Sequence, residues 1–309
     1  MKGVSFGPTI WPGSTGVLNQ HIYKVVPRAH IDRYWLYLAL KHVTGKIEAE
    51  AHGFKSSLVH VHKEDITGQA IEVPSIEEQR RVAGIVRTWD VAIEALNSVI
   101  GRLVERRGAL GHRLLSASPR NSTLVRLKDV LTESRIPGSD GRAAKKITIK
   151  LYGKGAVEKD ESRAGSKNTR YYVRTQGQLI YSKLDFLNGA IAIIPDLLDG
   201  FETTLDLPAF DISPAVNPLW LLEYLVRPSF YTNQVHLARG QRKARRVAPE
   251  DLLESRLRLP ERNQQDEVVE RLSTADHEIA LTRELLSTIE RQRRGLMQKL
   301  LTGEWRVRS

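Results

Sequence analysis

The sequence predicts an α+β fold in which two mixed α/β globular segments alternate with two long helices that pair as an antiparallel coiled coil. Three observations predict it. The 309-residue chain repeats itself at a fixed offset. Each copy ends in a long heptad-patterned stretch with no interior proline. Ahead of the second stretch stand short apolar runs separated by turn dipeptides.

Placing Pro74 over Pro260 aligns Gln79 with Gln265, Val82 with Val268, Thr88 with Thr274, Asp90 with Asp276 and Ile93 with Ile279. Farther on, Arg107 falls on Arg293, Leu110 on Leu296, Leu114 on Leu300 and Leu115 on Leu301, all at an offset of 186. Run backward, the same offset sets Asp65 on Asp251, Glu64 on Glu250 and Gly3 on Gly189. A gapless match of this length is a duplicated unit of one globular and one long segment, not a short-period solenoid.

The long segments read as helices. Val82, Val86, Trp89, Ile93, Leu96, Ile100, Leu103, Arg107, Leu110 and Leu114 alternate spacings of four and three. Val268, Leu272, Ala275, Ile279, Thr282, Leu286, Ile289, Arg293, Leu296 and Leu300 do the same, so each helix carries a heptad seam that needs a partner. Pro74 and Pro260 suit helix starts, where no N–H donor is required, and Gly303 suits the end of the second helix. At about 1.5 Å per residue, roughly 43 residues span about 65 Å. Arg107 and Arg293 interrupt the seams at the same point, either to fix register or by snorkelling from the flank.

In the globular segments, Leu179–Tyr181, Ala190–Ile194 and Thr203–Leu207 read as strands, with turns at Asn188-Gly189 and Asp199-Gly200. Pro218–Leu225 reads as a short helix, and so does the related stretch Asp32–Leu38.

Lys plus Arg number 47 against 36 Asp plus Glu, a net charge of +11, and its location is informative. Arg142, Lys145, Lys146, Lys150, Lys154, Lys159, Arg163, Lys167, Arg170 and Arg174 face only Glu158, Asp160 and Glu161 in their stretch, a net of +7. Arg239, Arg242, Lys243, Arg245 and Arg246 follow with no acid among them. The two stretches hold the whole excess, as a polyanion partner would require; the alternative is a solvated basic face. Neither has the apolar helical face that membrane binding needs. No signal-peptide core and no run of about eighteen apolar residues occurs, so the expected setting is the cytoplasm.

Catalytic motifs are missing. With no cysteine, thiolate zinc, iron–sulfur and disulfide chemistry are excluded. No acidic residue is followed two places later by Lys, as the commonest restriction-type nucleases require, and neither H-E-x-x-H nor a phosphate-binding loop occurs. Asn217-Pro218-Leu219-Trp220 has only a faint likeness to the N-P-P-Y of adenine methyltransferases, broken at Leu219, and reads better as a helix start. His60 and His62 could share a strand face as metal ligands, but no third ligand stands at a set spacing. No enzyme activity, cofactor or metal is expected.

These features together resemble the specificity (S) subunits of type I restriction–modification systems. Val73-Pro74-Ser75-Ile76-Glu77-Glu78-Gln79 and Leu259-Pro260 with Gln265 look like that family's conserved helix openings, and Leu296–Val307 resembles its typical C-terminus. Leu124–Val130 is similar to the opening of a target-recognition domain, Tyr181–Ala190 to an internal motif of such domains, and Gly240–Asp251 to their basic loop. The resemblance implies a non-catalytic subunit. Each recognition domain would read half of a bipartite target on double-stranded DNA, and the helices would set the gap. Methyltransferase subunits would dock outside, over apolar residues such as Ile85, Val99 and Leu285 unless these merely widen the helix pairing, and restriction/translocase subunits would join through the complex. An alternative is a helical scaffold that binds RNA or DNA nonspecifically.

The implied organisation is a partial first recognition domain (1–73), a first spacer helix (74–118), a second recognition domain (119–259), a second spacer helix (260–303) and a tail (304–309). At the constant offset Met1 falls on Leu187, so the first copy is expected to be N-terminally incomplete. The second domain is then expected to carry the DNA contacts, through Lys183 and the loop Arg239, Gln241, Arg242, Lys243, Arg245 and Arg246, with Lys154, Lys167 and Arg170 beside them. Gln241 and Arg242 are the expected base readers, because Gln suits adenine and Arg guanine in the major groove. Arg245 and Arg246 are the expected phosphate contacts. The first-copy counterpart, Gly53–His60, has one basic residue besides histidine and is expected to bind more weakly.

Overall fold

A computed structural model describes residues 7–19, 22–51, 63–116, 122–160, 166–240 and 245–307. The chain forms two compact units: residues 1–102 with 279–309, and residues 103–278. Seven helices occur among the described residues: α1 (Arg33–Ala51), α2 (Lys63–Thr67), α3 (Ile76–Ser116), α4 (Pro218–Leu225), α5 (Pro228–Tyr231), α6 (Pro249–Leu253) and α7 (Arg262–Leu301). Both long helices are divided between the units: α3 gives 76–102 to the first and 103–116 to the second, and α7 gives 279–301 to the first and 262–278 to the second.

Among the described residues the sheets lie in the second unit. Its strands are β1 (Thr123–Arg126), β2 (Leu131–Ser134), β3 (Pro137–Asp140), β4 (Ile147–Ile149), β5 (Ala156–Glu158), β6 (Arg170–Val173), β7 (Leu179–Tyr181), β8 (Ile191–Ile193), β9 (Glu202–Thr203), β10 (Ala209–Ile212), β11 (Ala238–Arg239), β12 (Arg246–Val247) and β13 (Arg256–Leu259). An antiparallel sheet in the order β2-β10-β7-β8 forms its centre. Alternation sorts the side chains by face. Leu179, Tyr181, Ile191 and Phe210 pack with Leu127, Trp220 and Leu221 on one side, and Ile180, Ala192 and Ala209 pack with Ile147 and Ile194 on the other. Covered on both faces, β7 is apolar at every position instead of alternating. Smaller sheets, β3-β6-β9, β4-β5 and β11-β12, flank this core. β1 pairs with β13, so the unit's first strand meets its last just before α7.

Several expectations need correction. The strand expected over Thr203–Leu207 stops at Thr203. Thr204 starts a turn instead, accepting Leu207 N–H at its carbonyl, and Pro208 follows with no donor to offer. The helix expected over Asp32–Leu38 runs on to Ala51, because no proline interrupts it as Pro228 does in the second copy. The prolines do not open the long helices, which begin at Ile76 and Arg262. Ser75 and Glu261 provide the first helical acceptors, bonding Gln79 N–H at 2.9 Å and Gln265 N–H at 3.1 Å.

Pro74 and Pro260 instead serve a buried glutamine in each copy. Gln79 Nε2 donates to Pro74 O (2.9 Å) and His30 O (3.3 Å), and its Oε1 accepts Asp32 N–H (2.8 Å). Gln265 Nε2 donates to Pro260 O (2.9 Å) and Ala215 O (3.2 Å), and its Oε1 accepts Asn217 N–H (2.8 Å). Asp32 and Asn217 then cap α1 and α4, each accepting from the backbone two and three residues on. These equivalences fall at an offset of 185, not 186, so one extra residue lies between the cap and the long helix of the second copy. The gapless extension back to Gly3 therefore fails, and Gly3 itself lies outside the described residues.

Every seam residue of α3 and α7 is buried or half-buried, whereas most intervening positions are exposed. The helices run antiparallel in each unit. In the first, Val82, Ala83 and Val86 of α3 meet Met297, Leu300 and Leu301 of α7, with Trp35 and Leu38 of α1. Ile85 packs against this cluster, while Leu285 is exposed. Arg293 stands 2.6 Å from Asp90 as an ion pair. In the second unit Arg107 bonds Asp276 through two nitrogens, at 2.9 and 2.8 Å, and also bonds Glu223 of α4. A shift of 186 residues turns each Arg–Asp pair into the other. The arginines thus specify register by pairing across the seam, and Arg107 is held above the ordinary guanidinium range by its bond to Glu223.

Candidate nucleic-acid interface

Five of the expected site residues, Lys154, Lys183, Arg239, Arg245 and Arg246, lie around one motif in the second unit. Tyr181 ends β7 deep in the core, edge-on to Phe186 and stacked on Phe210. Its hydroxyl donates to Val247 O at 3.1 Å, and burial pushes its pKa upward. Val247 N–H in turn donates to Lys183 O at 3.0 Å. Both backbone groups of Val247 are thereby satisfied by Tyr181-Ser182-Lys183, which clamps the β11–β12 hairpin onto the sheet. That hairpin carries the basic loop, and its register sets Arg239 opposite Arg246.

The turn after Lys183 is built locally. Ser182 Oγ accepts Asp185 N–H (3.1 Å), and Gly189 closes the turn in the left-handed region at φ 66°. A side chain at Gly189 would meet Tyr231 and the backbone of Tyr152. The loop joining β4 to β5 lies against this turn: Tyr152 N–H donates to Asn188 O and Gly153 N–H to Gly189 O, both at 2.8 Å. Lys154 lies over the exposed Tyr152 ring.

Lys183, Arg239, Arg245 and Arg246 are therefore neighbours. Lys183 N–H donates to Asp206 O, and the Asp206 carboxylate stands 3.6 Å from Arg246. Arg239 pairs with Asp251 at 2.5 Å while its side chain stays 76% exposed. The Arg246–Asp206 pair is exposed on both sides, and pairs of that kind are worth about 0–1 kcal/mol, so Arg246 can exchange its carboxylate for a phosphate at little cost. Arg245 is occupied otherwise: its guanidinium donates to Val235 O and Ala238 O and braces the hairpin's base. Gln241, Arg242 and Lys243 lie outside the described residues, as do His62 and the whole first-copy loop Gly53–His60. Arg170 opens β6, on a different sheet, opposite Asp140, and Lys167 stands in the turn before it. Among the described residues no hydrogen bond or ion pair joins these two to the Lys183 group.

Two members of the basic stretch are not on the surface at all. Arg174 is fully buried, donating to Thr203 Oγ1 (2.6 Å), Ser134 O (2.8 Å) and Leu207 O (3.2 Å), and burial lowers its pKa to about 10. Lys146 is buried beneath the Tyr171 ring. They tie sheets together, and the surface charge of this stretch is smaller than the sequence count. Asn217-Pro218-Leu219-Trp220 is a capped helix start, with Trp220 buried in the core. No group of three His, Cys, Asp or Glu residues suited to a metal exists among the described residues. None of their helices is long and apolar enough to cross a membrane.

No protein-family model and no curated protein matches this chain. Solved structures do. The chain is similar to the crystal structure of the HsdS subunit from Thermoanaerobacter tengcongensis, with a TM-score of 0.51 and 16% identity, over 89% of this chain and 71% of that one. It is similar also to a chain from a study of complex assembly and conformational transition of the type I R-M system, with a TM-score of 0.53 and 15% identity, over 88% and 71%. With two repeated globular segments, a long helix after each, and small sheets around the second, the chain has the fold of a type I restriction–modification specificity subunit.

Proposed function

We propose that this chain is the DNA sequence-recognition subunit of a type I restriction–modification complex, non-catalytic itself, which brings methyltransferase and restriction subunits to a target. One observation carries the reading: a basic pair of strands, β11 and β12, locked onto the Tyr181-Ser182-Lys183 motif, which brings Lys183, Arg239 and Arg246 together. Cations grouped on a rigid scaffold suit the phosphate contacts that position a protein on DNA, and the Gln241-Arg242 sequence between Arg239 and Arg246 supplies side chains suited to base readout in the major groove. Lys154 and Tyr152, on the neighbouring loop, extend the same surface. The division into recognition domains at 1–73 and 119–259 and spacer helices at 74–118 and 260–303 follows the repeat and belongs to this proposal. Exposed Val91, Leu281 and Leu285 on the long helices suit docking of the methyltransferase.

The test is a titration of Gln241→Ala, Arg242→Ala and Arg246→Ala chains against cognate and single-mismatch duplexes at fixed and varied salt. Each base-reading change is expected to lose about 1–3 kcal/mol and relax preference at one position, whereas Arg246→Ala weakens every duplex alike and flattens the salt slope. Equal binding of cognate and scrambled duplexes by the unaltered chain refutes sequence recognition and leaves a nonspecific scaffold.

A further inference from the structure

Tyr152 stands where stability gives no reason for a tyrosine. Its backbone is left-handed at φ 59°, as is that of Gly153 at φ 65°. Glycine enters that region freely and Asn or Asp with modest strain, whereas a bulky side chain there is an outlier. Gly153 has a packing reason, because a Cβ at that position would stand 2.9 Å from Val226 Cβ. The Tyr152 ring has none: it is 62% exposed, and Leu151 before it is 37% exposed.

The fold imposes this conformation. Lys150 N–H donates to Gly155 O at 2.8 Å and continues the β4–β5 ladder to its tip. Tyr152 N–H and Gly153 N–H are both committed to the turn that follows Lys183, on Asn188 O and Gly189 O. The backbone beneath the ring is therefore fixed. Local strain that the surroundings hold in place, with no gain in burial, points to a functional position.

The charges around the ring indicate what it meets. Lys150 and Lys154 are exposed and, among the described residues, pair with no carboxylate. Lys154 Nζ stands 6.0 Å from the centre of the Tyr152 ring. An exposed aromatic ring beside free cations suits a nucleic acid, the ring stacking on a base and the cations holding phosphates. Stacking needs a base with an open face, which an undistorted duplex does not offer.

We propose that Tyr152 is a base-stacking residue that takes a nucleobase displaced from the duplex stack, with Lys150 and Lys154 on the neighbouring phosphates. The inference rests on the DNA-recognition reading and adds to it a distortion of the duplex at the β4–β5 tip.

The test titrates the full chain with short duplexes drawn from one randomised pool. One set is fully paired, one carries an extra thymidine bulged from one strand, and one carries a tetrahydrofuran residue in the bulge, which keeps sugar and phosphate but has no base. The thymidine-bulged set is expected to bind about tenfold more tightly than the tetrahydrofuran set, as one stacked base supplies. Tyr152→Ala should erase that difference and leave the salt slope unchanged, because a ring releases no counterion. Lys150→Ala and Lys154→Ala should instead flatten the slope. Tyr152→Phe should keep the difference, since stacking does not use the hydroxyl. A difference absent from the unaltered chain, retained in Tyr152→Ala or lost in Tyr152→Phe overturns the proposal, as does a salt slope that responds to the ring and not to the lysines. In each of those cases binding of the paired set leaves DNA recognition standing, whereas no binding of any set overturns both.

Discussion

Gln265 offers the sharpest test of how the second unit is tied to its long helix. It is fully buried and makes three hydrogen bonds, accepting from Asn217 N–H at 2.8 Å and donating to Ala215 O and Pro260 O. Gln265→Met keeps most of the volume and removes all three bonds. The Asn217 amide loses its acceptor at the point where α4 starts, and an orphaned buried donor costs about 1–3 kcal/mol. The two carbonyls each keep a second lone pair and cost less, so a total of about 3 kcal/mol is expected. Gln265→Ala adds a cavity and should exceed it by roughly 1–2 kcal/mol. Gln79→Met should match Gln265→Met closely, because the same three bonds recur there and the two glutamines share no partner. Urea unfolding followed by circular dichroism gives the midpoints, and exchange of the Asn217 amide gives the local effect. Two units need not melt together, so the local readout is the decisive one. A Gln265→Met chain with an unshifted midpoint and an unchanged Asn217 exchange rate refutes the argument.

Two further outcomes are expected. Gly189→Ala places a Cβ 2.9 Å from the Tyr231 ring and 3.3 Å from Tyr152 Cα in a left-handed backbone; it should destabilise the second unit by about 1–3 kcal/mol, read as a lowered thermal midpoint. Tyr34, largely through burial and then through its bond to Asp90, has its pKa pushed up from 10.0 to about 12. The folded chain keeps that proton where the unfolded chain loses it, so the contribution is whole below pH 10 and vanishes between pH 10 and 12. Tyr34→Phe should flatten the stability curve across that window, and an unchanged slope there would count against the half-buried Tyr34–Asp90 bond.

The duplicated plan, the two long helices and their seams were legible in the residues, because a heptad pattern is a local property and a repeat is found by comparing a chain with itself. That the seams meet antiparallel is fixed by the Arg293–Asp90 and Arg107–Asp276 pairs of the fold. Pro218–Leu225 was legible for the same reason, since its cap and core residues are near neighbours in sequence. Other features exist only once the chain is folded. Gln79 and Gln265 were visible as identities, but their partners lie up to 49 and 50 residues away. Arg174 counts as a surface charge in the sequence and is a buried brace in the fold, because whether an arginine meets water or backbone carbonyls depends on how the sheets stack. Tyr181 reads as one apolar strand residue. Its hydroxyl reaches Val247, 66 residues on, and that contact is what holds the basic hairpin beside Lys183. Periodicity carries the elements because each follows from neighbours along the chain; the clamp and the buried glutamines depend on backbone groups that only the tertiary structure brings within hydrogen-bond reach.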